Sequence, residues 1–412
     1  MTVKAITRSR LIDGTGAEPE EEITILIEKN RIIDIGKDLD IPVNAEIIDA
    51  AGSTVLPGLI DSHLHICING DPDIFSIAKV PMGLLMIYGY RNAHLNLKAG
   101  FTTIRDMGAP YNFGIALRDA IKQGIVRGPR VLSPGKVISM TGGHADFYLK
   151  GGVSFNKMSR IADGVSECRK AAREMFRDGA DFLKICSSGG VMSPADPVDT
   201  PQFGLEELKA MVYEAECHGK IVASHAHGAT GIKNAVRAGV KTIEHGSLMD
   251  EEAVELMADR GCFHIPTLVA GWNIVERGEK AGIPKYAVDK AEEIINEVKK
   301  STLLSRKGGV KVAMGTDAGT PFNRHGENAQ ELIHLVETGF TPMEAIQAAT
   351  KTGSECLGMD DKIGTIETGK LADIIMVKGD PLREIKIFSD HENILLVMKD
   401  GIIEVDQRNE QR

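Results

Sequence analysis

The 412 residues are 42% hydrophobic and include 44 glycines and 16 prolines, enough for one large core and a smaller second unit. A balance of 48 basic to 58 acidic side chains gives a net charge of −10 with no long Lys/Arg run, so nucleic acid and anionic membrane surfaces are disfavoured as partners. No apolar run reaches the ~18 residues of a membrane span, the six cysteines stand singly, and "MTVKAITRSRLIDGTG" lacks the apolar core of a secretion signal; a reducing, cytoplasmic setting is expected.

Residues 1–56 alternate apolar and polar side chains and carry turns, as in "EEITILIEKNRIIDIGKDL", which reads as antiparallel sheet. From "STVLPGLIDSHLHI" onward the pattern changes. A charged helical stretch, a glycine and a short apolar strand recur in "LKAGFTTIRDMG", "FRDGADFLKICSSGG", "ECHGKIVASHAHG", "VRAGVKTIEHGS", "ADRGCFHIPTL" and "SRKGGVKVAMGTDAG". The glycine suits the left-handed residue that closes a helix before a strand. Together with "PRVLSPGKVISMTGG" these give eight strands, most separated by helices, each a nearly continuous apolar run. That predicts a (β/α)8 TIM barrel over residues 57–361. The tail alternates again in "IGTIETGKLADIIMVKGDPL" and "ILLVMKDGIIEV". Two short half-sheets each need a partner, so residues 1–56 and 362–412 are expected to join as a small β-sandwich domain.

Barrel enzymes build their sites at the C-terminal ends of the strands, and polar residues gather there in this chain. His63 and His65 in "DSHLHI" lie two apart on one face. Alternation puts Lys184 of "DFLKIC" on the face of Phe182 and Cys186, opposite Leu183 and Ile185. His225 and His227 end the fifth strand, His245 the sixth and Asp317 the eighth. Any one of these suits a hydrogen-bonded core residue, but donors converging from five strand ends fit a metal site better than packing. A desolvated lysine is a neutral amine, able to add carbon dioxide and form a carbamate bridge between two cations. A lysine paired only with Asp317 would leave the histidines unexplained.

These residues in this order resemble the amidohydrolase superfamily in its binuclear, carboxylated-lysine form. "TGGHADF", "GGVMSP", "SHAHGATGIKNAVRAGVKTIEHGSLMD" and "GTDAGTPFNRHGENAQEL" are similar to its metal-dependent dipeptidases, among them Xaa-Pro dipeptidases (prolidases), Xaa-Arg dipeptidases and ochratoxin amidases. The resemblance implies two divalent ions, zinc before manganese or cobalt. His63, His65 and Asp317 would hold the more buried one and His225 and His245 the more exposed one, with carboxylated Lys184 bridging both. Spacing alone leaves His225 and His227 interchangeable; the family position makes His225 the ligand and His227 a substrate contact.

The implied reaction is attack on an amide carbonyl by a hydroxide bridging the ions, with Asp317 carrying the proton to the leaving amine and His144 donating to the oxyanion. Arg324 and His325 of "PFNRHGEN", with His227, are the expected partners of a substrate carboxylate, and Tyr148 is placed in the same pocket. The expected substrate is a dipeptide or N-acyl amino acid with proline or another neutral C-terminal residue, since Arg324 would repel a cationic one. Association into a homo-oligomer is expected.

Hydrolysis of a lactone, a carbamate or a cyclic amide such as imidazolonepropionate remains an alternative, because the same ions would attack those carbonyls. Deamination fits less well: deaminases of the superfamily generally lack the fourth-strand lysine and carry HxxE where this chain has "HAHG". A relative turned scaffold would have lost ligands, and none is missing.

Overall fold

The computed structural model describes residues 3–149 and 153–408. Strands from both chain ends form a single eight-stranded sheet. Near its middle, Ser53–Pro57 pairs antiparallel with Ile374–Lys378 and parallel with Lys4–Leu11. The N-terminal side continues through Glu20–Glu28 and Arg31–Gly36, and the C-terminal side through Ile394–Lys399 and Ile402–Asp406. Alternate residues go to opposite faces. Ile374, Met376, Leu396 and Met398 meet the N-terminal Ile23, Ile25 and Val55 on one face. Leu56, Ile375, Val377 and Val397 pack on the other, against Leu59, Leu97 and Phe101 of the central unit. Neither end of the chain has a core without the other.

The central strands are parallel and alternate with helices. Leu59–Leu64, Phe101–Asp106 and Arg130–Leu132 form one sheet. The other runs Ser159–Ile161, Val137–Ser139, Leu183–Cys186, Val222–Gly228, Thr242–Leu248, Phe263–Ile265 and Lys311–Val312 in spatial order. Backbone bonds join the two sheets: Asp181 N donates to Ser133 O (2.9 Å), Ser62 N to Met314 O (3.0 Å) and Asp317 N to His63 O (2.6 Å).

Two expected strands differ in detail. "SPGK" splits the third into Arg130–Leu132 and Val137–Ser139, as a proline and a positive-φ glycine between them dictate. The first breaks at Gly58, where a Cβ would lie 2.2 Å from Thr102 Oγ1. Ser53–Pro57 therefore stays in the terminal sheet while Leu59–Leu64 turns into the parallel one. The glycines read as helix ends (Gly100, Gly179, Gly219, Gly239, Gly261 and Gly309) all take positive φ; Gly239, at 107°, caps Ala229–Ala238. Leu183 and Ile185 pack with Met175 and Leu208 of the flanking helices, which leaves Lys184 and Cys186 to the inside.

Candidate metal centre

At the C-terminal ends of the central strands lies a cavity of about 110 Å³, lined by His63, His65, Lys184, His225, His227, His245 and Asp317 together with apolar side chains. Donor atoms of His63, His245 and Asp317 lie within 4.8 Å of one another, and those of His225, His227 and His245 do the same.

The partners of each imidazole decide what the cluster can hold. His63 Nδ1 meets Glu244 Oε2 at 2.7 Å. Burial opposes the charge on Glu244, yet Arg105 and His63 hold its carboxyl down to about 2. Glu244 is therefore an acceptor and Nδ1 donates to it, which turns Nε2 toward the cavity. Nε2 lies 3.3 Å from Asp317 Oδ1, and both atoms are buried without a hydrogen-bond partner. Two such atoms repel unless a cation or a proton comes between them. His65 repeats the arrangement: Nδ1 donates to Gly108 O (3.1 Å) and Nε2 lies 3.4 Å from the same carboxylate oxygen.

On the other side His225 Nε2 donates to Gly189 O (3.1 Å), His227 Nδ1 meets Ser247 Oγ (2.8 Å) and His245 Nδ1 meets Thr267 Oγ1 (2.7 Å). Each ring commits one nitrogen to the protein and leaves the other for the cavity. Burial lowers His65 to about 4 and His227 to about 3, and takes His225 and His245 well below their usual value. Neutral imidazoles are the form that binds metals. The residues present fit divalent ions.

Residues 54–403 match the model of the amidohydrolase family. The chain belongs to that family. Ochratoxinase of Aspergillus niger is 34% identical over 429 residues, covering 97% of this chain and 86% of the relative. A Xaa-Pro dipeptidase with methionine bound in its active site superposes with a TM-score of 0.88 at 37% identity, over 98% of this chain and 99% of the other. A prolidase complexed with N-methylphosphonate-L-proline gives 0.92 at 33%, over 98% and 100%.

Lys184 of this amidohydrolase is 3% exposed, and burial lowers its pKa despite the nearby Glu244, Cys186 and Asp317. His144 stacks on His225, ring centroids 4.0 Å and planes 13° apart, with Nδ1 2.7 Å from Ser193 Oγ. Burial pushes the His144 imidazole down to about 3. Gly190 makes that stack possible: a Cβ there would come 2.3 Å from His144 Nδ1 and 2.7 Å from His225 Nε2. His245 and Asp317 take φ of 70° and 59°, left-handed conformations that cost a non-glycine residue about 1–3 kcal/mol each.

Three expected substrate contacts are corrected by their positions. Arg324 is exposed and Tyr148 is 60% exposed, and neither lines the cavity. His325 is buried beneath the site, with Nε2 donating to Ile68 O (2.9 Å) and Nδ1 accepting from Asn96 Nδ2 (3.3 Å). Its ring is spent on the loops that carry His65.

Sequence reasoning also missed Glu244, Arg105 and Asp61, all 0–1% exposed. Alternation puts Glu244 and His245 on opposite faces, but the positive φ at His245 breaks the alternation and turns both inward. Arg105 and Asp61 carried the same clue as Lys184, a charge inside an apolar strand. Asp61 Oδ1 accepts from His63 N (3.0 Å), and its Oδ2 from Thr316 Oγ1 and Asn328 Nδ2 (both 2.6 Å).

Proposed function

We propose that residues 57–361 form a closed (β/α)8 TIM barrel, that residues 1–56 and 362–412 form a small β-sandwich domain beside it by folding their one sheet over its own core, and that the barrel hydrolyses the amide bond of dipeptides or N-acyl amino acids with a neutral C-terminal residue, proline included. The backbone bonds linking the two parallel sheets support the closed barrel. His63, His65 and Asp317 would hold one divalent ion and His225 and His245 a second, zinc by the character of the donors. Lys184 would bridge them as a carbamate: its neutral nitrogen bonds to the carbon of carbon dioxide and one proton is released.

One observation carries this reading, the buried and unpartnered His63 Nε2 facing the equally unpartnered Asp317 Oδ1 at 3.3 Å. When bound, the ions would supply Lewis-acid polarisation of the carbonyl and lower the pKa of a water. The rest falls to the chain. Asp317 takes the proton of the attacking water and returns it to the leaving nitrogen. His144, its Nδ1 engaged by Ser193, leaves Nε2 for the developing oxyanion. His227, beside His225, faces the substrate.

The test is hydrolysis of a dipeptide and N-acyl-amino-acid library by zinc-loaded protein in bicarbonate. Turnover grouped by the C-terminal residue is expected. Two bound ions with no turnover of any member would overturn the amide reading in favour of lactones, carbamates or cyclic amides. His144→Asn should lower kcat on the order of 10²–10³-fold with metal content unchanged.

A further inference from the structure

Part of the apolar wall of the cavity is supplied by two helices, Leu268–Arg277 and Lys285–Lys307. Each presents residues at i, i+1 and i+4: Ala270, Gly271 and Ile274 from the first, Ile294, Ile295 and Val298 from the second. We propose that this slot receives a bulky, uncharged side chain flanking the scissile bond, and that Gly271 sets its depth. The inference rests on the amide-hydrolase reading and adds the kind of group that the site accepts.

Charge argues for it first. Apart from the imidazoles, Lys184 is the one cationic residue among the described residues lining the cavity, and Asp317 the one acid. Both belong to the metal cluster. Lys290, on the second helix, spends its ammonium on the carbonyls of Gly190 (2.9 Å), Ser193 (2.7 Å) and Asp196 (2.5 Å). A charged side chain in the slot would be desolvated without a partner, whereas an apolar one gains from burial.

Shape argues second. A glycine inside a helix is destabilising relative to alanine, so its presence at 271 asks for a reason. A Cβ there would lie 3.2 Å from Ile295 Cδ1 on the facing helix, so even a methyl group narrows the gap between the two. The first helix is also firmly placed, because the buried Glu331 carboxyl group accepts from Leu268 N (2.9 Å) and Val269 N (2.8 Å). The wall can therefore select by size.

Affinities of the metal-loaded protein for linear carboxamides from propanamide to octanamide, measured by NMR titration, test the slot without turnover. In the wild type affinity should rise roughly fourfold per added methylene until the slot is full. Gly271→Val should cut the hexanamide-to-propanamide ratio at least tenfold. Gly271→Ala, a better helix former, should cut it several-fold and keeps the test open if the valine variant fails to fold. Ile295→Ala should move the plateau to longer members. A flat ladder in the wild type, or a Gly271→Ala ratio equal to that of the wild type, overturns the slot even if amides are hydrolysed. A rising ladder that flattens in the variants, with no amide hydrolysed, keeps the slot and removes the amide reading.

Discussion

His63 leans on buried charge, whereas His65, on the same side, and His225, His227 and His245 on the other lean on neutral hydroxyls and carbonyls. On the first side Glu244 orients His63 and is itself held by Arg105 Nη2 (3.0 Å) and Thr242 Oγ1 (2.6 Å). Arg105 also donates to Ser62 O (2.6 Å) and lies over the Phe182 ring at 5.3 Å. On the second side the partners are Gly189 O, Ser247 Oγ and Thr267 Oγ1. A buried ion pair adds little net stability but is costly to break, because the survivor is left charged and dry. A neutral hydroxyl can turn, accept or donate, and its loss is mild. The first side is expected to resist change through the Glu244–Arg105 pair, and the second to tolerate more adjustment.

Removing the charge that both first-side histidines share should have the largest effect. Asp317→Asn keeps the shape but loses the anion that faces His63 Nε2 and His65 Nε2. Elemental analysis should find fewer than two ions per chain, and turnover should fall to background. A variant with full metal content and kcat within tenfold of the wild type would break the comparison at its root.

Next comes the buried ion pair. Arg105→Met strands Glu244 and should lower unfolding stability by about 3–5 kcal/mol in denaturant titration. Adding Glu244→Gln should recover part of that loss, since no charge is then left unpaired. A double variant less stable than the single one would show that Arg105 acts through packing on Phe182 and not through Glu244.

Sequence periodicity carried the parallel strands alternating with helices and the sheet of the two chain ends, because glycine-punctuated strands and alternating termini are local patterns. The single sheet built from both chain ends needed only the argument that each half lacks a partner. The convergence of the imidazoles on Asp317 was legible for the same reason: such groups at strand ends have few uses besides holding a metal. Glu244 was hidden by the positive φ at His245, which breaks the strand's alternation and which no side-chain pattern announces. Arg324 misled in the opposite way. It lies seven residues past Asp317 in sequence, yet its loop points it to solvent while His325 beside it turns inward. Proximity along a loop says nothing about direction.

Glu331 gives a pH-dependent effect of intermediate size. Burial pushes its carboxyl up to about 8 from 4.5, against the pull of Val269 N and Leu268 N. Between those values the folded chain holds a proton that the unfolded chain releases. Its contribution to stability is therefore full below about pH 4.5 and is lost as pH rises through about 8. Thermal unfolding from pH 5 to 9 should show that decline in the wild type and a flatter profile in Glu331→Gln. Equal slopes would place the proton elsewhere.

The smallest change in stability is expected from Thr267→Val, on the second side. Valine keeps the branched shape and removes only the hydroxyl that meets His245 Nδ1 at 2.7 Å. Thr267 takes φ of 51°, a strained conformation for a branched residue, but valine bears the same strain and that contribution cancels in the difference. What remains is one neutral hydrogen bond, worth about 1 kcal/mol. The function should suffer more than the fold. Without the hydroxyl nothing fixes which nitrogen of His245 carries the hydrogen, and metal affinity should fall on the order of 10–100-fold. Arg105→Met and Thr267→Val then form a pair, the first with a large loss of stability and the second with a small one, both weakening metal binding. If Thr267→Val unfolded as readily as Arg105→Met, the hydroxyl-supported side would be as rigid as the charged one, and an adjustable second side could not stand.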